Sequence, residues 1–182
     1  MSPILGILAS SNYQRVTSSY YSIATTTLGT ATASVTFSSI PATYTHLQIR
    51  ALTSNASYAS TSASLYLNSD TTAANYRNHY LYGSGSAAGS STDGNSAANG
   101  VMGSGMSTGP AAWVIDLLDY QNTNKYKTIR LLNGYDTNGA GYVWFGSNLW
   151  MNTNAVSSFT ITAPVGTFAI NSSFALYGIK GA

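Results

Sequence analysis

Cysteine and glutamate are both absent from this 182-residue chain, and only two histidines are present. Without cysteine there is no disulfide framework, no thiolate chemistry and no Cys-based zinc site. Five aspartates are the only acids, which leaves few ways to assemble an acid–base pair or a set of metal ligands. No catalytic residue, metal or cofactor is therefore expected. Charge of either sign is scarce: 7% of residues are charged, against roughly 25% in an average globular protein. The formal net charge is +2, so self-repulsion is weak and association is easy. That suits a chain that works assembled on a surface.

Lys125, Lys127 and Arg130 form the one basic cluster. Nucleic-acid binding needs a broad basic face with many phosphate contacts, and seven scattered cations do not supply it. A local salt contact with Asp116, Asp119 or a neighbouring subunit is expected instead, and no nucleic-acid partner. The apolar run at residues 3–9 is too short to span a bilayer. No basic residue precedes it, so it reads as neither a transmembrane helix nor a signal peptide, and no membrane partner is expected.

What is plentiful is Thr, Tyr, Val, Ile, Phe and Trp, which is a strand-forming composition. The 44% hydrophobic and 12% aromatic content argues against disorder. Alternating segments punctuated by Gly, Pro and Asn/Asp clusters recur along the chain. Strands are predicted at residues 22–28, 31–37, 46–52, 63–68, 76–82, 111–118, 127–132, 141–150, 159–163 and 174–179. Residues 83–110, rich in Gly, Ser and Ala, read as a long loop. No segment carries an amphipathic helical pattern. The fold expected is all-β: one antiparallel β-sandwich over residues 1–182, jelly-roll-like. Residues 1–18 are expected to form an arm outside the sandwich, with Ile4, Leu5, Ile7 and Leu8 as a docking segment.

Chemical motifs are few and weak. Asp116 and Asp119 could be paired carboxylates for glycoside hydrolysis, but a strand end and a polar turn explain them better. Asp136-Thr-Asn-Gly139 resembles the opening of a calcium loop yet lacks the later bidentate acid, and a hairpin turn is expected there. His46 is predicted to face the outer surface or a subunit contact, and His79 the face opposite Tyr76 and Tyr80. The aromatics have the strongest functional pull, because Tyr and Trp join a large apolar face to a polar tip. Tyr80, Tyr82, Tyr142 and Trp144 are the candidates for a subunit interface or a sugar-stacking surface.

Residues 44–50 (YTHLQIR), 116–130 (DLLDYQNTNKYKTIR) and 174–181 (FALYGIKG) resemble a group of small tailed-bacteriophage virion structural proteins. Residues 4–11 and 21–24 are similar to the same group. The resemblance spans nearly the whole chain and is least marked at residues 83–109. It implies a virion location and carries no catalytic residues. On this basis the chain is expected to be a capsid decoration (cement) protein stabilising the head shell, a homotrimer bound to the major capsid protein. The alternative is a tail-fibre or baseplate protein recognising host-surface glycans.

Overall fold

The computed structural model describes residues 19–59, 61–94 and 101–181. Ile4, Leu5, Ile7 and Leu8 lie outside the described residues. Among the described residues there are twelve strands: β1 (Tyr20–Thr27), β2 (Ser34–Phe37), β3 (His46–Thr53), β4 (Thr61–Leu67), β5 (Tyr76–Gly83), β6 (Ala88–Gly94), β7 (Val101–Met106), β8 (Ala111–Leu117), β9 (Lys127–Asp136), β10 (Gly141–Trp150), β11 (Phe159–Thr162) and β12 (Ser173–Ile179). A 3-10 turn, Ala73–Asn75, precedes β5. Two antiparallel sheets result, one of eight strands ordered β1-β12-β3-β8-β9-β10-β5-β6 and one of four ordered β2-β11-β4-β7. This is an all-β sandwich in which the chain switches sheets repeatedly, as in a jelly roll, but with sheets of unequal width.

Alternation decides which face each strand buries. In β8, Ala111, Trp113, Ile115 and Leu117 are buried and the residues between them are not. Their cross-strand partners Leu47 and Ile49 of β3, and Ile129 and Leu131 of β9, extend the same face. Val35, Phe37, Leu65, Leu67, Phe159 and Ile161 from the smaller sheet join them in one core. Trp113 Nε1 donates to Thr53 Oγ1 at 2.8 Å, so this indole is buried with its N–H satisfied.

The turns follow their residues. Asn68-Ser69 and Asn138-Gly139 both have positive φ at each position, as a type I′ turn requires; the first turns the chain from one sheet to the other, and the second is the two-residue loop of the β9–β10 hairpin. Thr137 N–H donates to Ala140 O at 2.8 Å to close the second. Residues 136–139 are thus the hairpin expected from the sequence.

Residues 83–110 are a correction. They were expected to be one long loop, but β6 and β7 fall within them, as the edge strands of the larger and smaller sheets. β6 holds only small and polar residues and β7 has Gly-Ser-Gly at its centre, so neither shows an alternation signal, yet both pair. In β6, Gly89 lies opposite Tyr82, and a Cβ there would sit 2.8 Å from the Tyr82 ring. The ring therefore covers the glycine backbone, the arrangement by which an aromatic neighbour rescues a glycine in a strand.

Candidate functional site

Two features of the eight-stranded sheet concern function, one on each face. On the inward face, β5 and β10 place Tyr82 opposite Trp144 and Tyr80 opposite Gly146, while β9 and β10 place Tyr135 opposite Tyr142. Gly146 leaves no side chain opposite Tyr80, and a Cβ there would meet Asn148 Nδ2 at 3.0 Å. The rings of Tyr80 and Trp144 stack with centroids 4.0 Å apart. Tyr82 is 5.8 Å from Trp144 and 6.4 Å from Tyr142, and Tyr142 is 6.0 Å from Tyr135. The structure thus brings Tyr80, Tyr82, Tyr142 and Trp144 into one run, to which Tyr135 adds a fifth ring. Trp144 is buried at one end of the run, and the tyrosines are half-buried. Asn78, Asn133 and Asn148 lie buried on the same face.

The outward face carries a feature that the sequence reading missed. Leu81 of β5 pairs with Phe145 of β10, Phe145 with Leu132 of β9, and Leu132 with Val114 of β8. One apolar row therefore crosses four strands. Leu81 is 58% exposed, Phe145 46% and Leu132 49%, and Val143 in the next row is 55% exposed. The row on the other side is polar: His79, Ser147, Arg130, Asp116 and Gln48 follow one another across the same strands. Gln48 Nε2 donates to Asp116 Oδ1 at 2.7 Å, Arg50 Nε donates to Gln48 Oε1 at 2.8 Å, and Arg130 donates to Ser147 Oγ. This face is half apolar band and half hydrogen-bonded polar network.

Comparison of the chain with family models, curated proteins and solved structures finds no match.

The remaining sites considered from sequence have structural partners. Asp119 accepts from Lys125 Nζ, and its backbone N–H donates to His46 Nδ1 at 3.0 Å. The hydrogen bond from Lys125 is the main reason its carboxyl is held below the usual range. Asp116 serves Gln48, so the two aspartates face different partners. His79 is exposed on the outward face, opposite Tyr76 and Tyr80 as its place in the alternation requires. Lys127 makes no salt contact among the described residues. It is fully buried, and its Nζ donates to the carbonyl oxygens of Asn122, Thr153 and Lys125 at 2.5, 3.0 and 3.1 Å. Burial, with the Lys125 charge second, pushes its ammonium below the ordinary lysine value.

The Asp70 side chain is held by three hydrogen bonds. Its Oδ2 accepts from Trp150 Nε1 at 2.8 Å and Asn75 Nδ2 at 2.7 Å, and its Oδ1 from Thr72 N–H at 2.9 Å. Burial pushes the carboxyl up, but these hydrogen bonds together outweigh it and hold Asp70 below its ordinary value. No group of three His, Cys, Asp or Glu that could hold a metal is found among the described residues. No helix among them is long and apolar enough to cross a membrane.

Proposed function

We propose that this chain is a structural protein of a tailed-phage virion, a head-decoration protein that docks on the shell through the outward face of its eight-stranded sheet. The observation that carries the reading is the row Leu81–Phe145–Leu132–Val114, an exposed apolar band on a chain with almost no charge. A few half-exposed side chains make a small contact beside the ~800 Å² that each partner contributes to a standard stable interface. A contact of that size is weak alone and gains strength when many copies bind a repeating lattice. The occupant we assign is therefore the shell's major capsid protein, with copies of this chain grouped as trimers. A protein that binds only the assembled shell stabilises it by mass action. No catalytic step forms part of the proposal, in keeping with the structural engagement of Asp70, Asp116 and Asp119.

The second reading, a tail-fibre or baseplate protein recognising host-surface glycans, is favoured by the aromatic run on the inward face. Immunogold labelling of intact particles separates the two. Gold spread over the heads is the expected result, whereas gold confined to the tail or its tip overturns the decoration reading.

A further inference from the structure

Pairing between β5 and β10 ends at Gly83 and Val143. Beyond it each strand continues into its own hairpin turn. The β5–β6 turn is closed by Ser84 N–H donating to Ala87 O at 2.9 Å, with Gly85 at φ +81°. This is the first-position glycine of a two-residue type II′ loop. The β9–β10 turn is the Asn138-Gly139 loop. An open notch of about 490 Å³ lies between the two turns, within the roughly 300–1,000 Å³ typical of small-molecule sites. Ser84 and Gly85 form one wall, and Tyr135, Asp136, Gly139 and Tyr142 the other.

We propose that this notch is a binding site for a neutral oligosaccharide. Three observations converge on that ligand class. Tyr142 and Tyr135 are the outer end of the aromatic run, whose inner end, Trp144 stacked on Tyr80, is fixed in the sandwich. A platform held by packing need not reorganise when the apolar face of a pyranose ring lies on it. Asp136 supplies a hydroxyl acceptor. Its Oδ1 accepts Asn138 N–H at 2.7 Å, which fixes the side chain, and its Oδ2 has no partner among the described residues. No Lys, Arg or His is among the described residues lining the notch. A uronic or sialic acid would therefore meet the Asp136 carboxylate with no cation to offset it, whereas a neutral sugar meets one carboxylate acceptor, the Ser84 hydroxyl, backbone groups, tyrosines and the apolar Ala140 and Val143.

The inference stands on the notch alone and does not depend on which part of a virion carries the chain. The test is isothermal titration calorimetry of the intact chain with maltohexaose, cellohexaose and chitohexaose, and with an anionic galacturonate hexamer as the contrast. At least one neutral hexamer is expected to bind, with the anionic hexamer at least about tenfold weaker. Tyr142→Ala is expected to weaken binding about tenfold or more, and Asp136→Asn about threefold. Because Tyr142 also packs inward, Ala140→Trp is the companion variant. It fills the notch from an exposed position on the wall and should abolish binding with the thermal unfolding curve unchanged. Failure of all three neutral hexamers to bind overturns the proposal. So does binding that survives Ala140→Trp, or an anionic hexamer that binds as well as the neutral ones.

Discussion

The two ends of β10 carry the same side chain on the same face with opposite consequences. Trp150, at one end, is fully buried with Tyr76 opposite it, and its N–H is fixed on Asp70. Tyr76 in turn donates to Asp70 O at 2.8 Å and accepts from Leu67 N–H at 3.1 Å, so this end closes in a satisfied polar network. Trp144, at the other end, is held by stacking on Tyr80, and its Nε1 has no hydrogen-bond partner among the described residues. One indole is fastened by polar chemistry and packing together, and the other by packing without a hydrogen bond to its N–H among the described residues. Hydrogen bonding secures the fold where the sandwich is closed. Stacking leaves a half-buried aromatic surface where the two hairpin turns meet solvent.

The sharpest way to break this contrast is to make one substitution at both ends. Trp150→Phe is expected to cost about 2–4 kcal/mol, combining a cavity with the loss of a hydrogen bond to a charged acceptor. Trp144→Phe keeps a ring in the stack and removes an unsatisfied donor, so a change within about 1 kcal/mol is expected. Urea unfolding of both variants checks the pair, and equal losses would erase the distinction. Trp113→Ala is a core reference, with an expected loss of about 3–5 kcal/mol.

Next in size is Asp70→Asn. Asp70 has a lowered pKa in the folded chain, so its contribution is present at pH values above the ordinary 3.8 and is lost as pH falls through the folded value. The variant is expected to lose about 1–2 kcal/mol at neutral pH, the low part of the range for a charged hydrogen bond because the group is part-exposed. Its stability should also fall less steeply than that of the unaltered chain on acidification below about pH 4. Denaturant midpoints at neutral and acid pH test both statements. Parallel acid limbs would show that Asp70 is not the group responsible.

The smallest stability effects belong to the outward face. Leu81→Thr and Leu132→Thr alter side chains that are already about half exposed, so changes within about 0.5 kcal/mol are expected. Occupancy on particles, measured by quantitative gel densitometry, should fall in both. Unfolding free energy and particle occupancy thus respond to different residues if this face is a docking surface.

Ten of the twelve strands among the described residues were legible in the sequence, β1 from its run of threonines and the others chiefly from alternation between apolar and small or polar residues. β6 and β7 were not, since a run such as Ala88–Gly94 offers no period to read, and what holds it is backbone pairing with β5. The aromatic candidates were legible as types, and their association depends on register, which places Tyr82 beside Trp144 and leaves Gly146 opposite Tyr80. The outward apolar row was invisible for a different reason. In β5 both faces carry apolar groups, Leu81 on one and Tyr80 and Tyr82 on the other. Alternation assigns residues to two faces without saying which is covered, and the side on which the smaller sheet packs decides that.

Because the chain has no cysteine, one thiol can be placed at Phe145 and its reaction with a maleimide followed in the free protein and on intact particles. The docking account predicts that Phe145→Cys reacts readily when free and is protected on particles, while Ser86→Cys, on the exposed β5–β6 turn, reacts in both. Equal labelling of Phe145→Cys in the two states would contradict the assignment of the outward face as the surface that meets the shell.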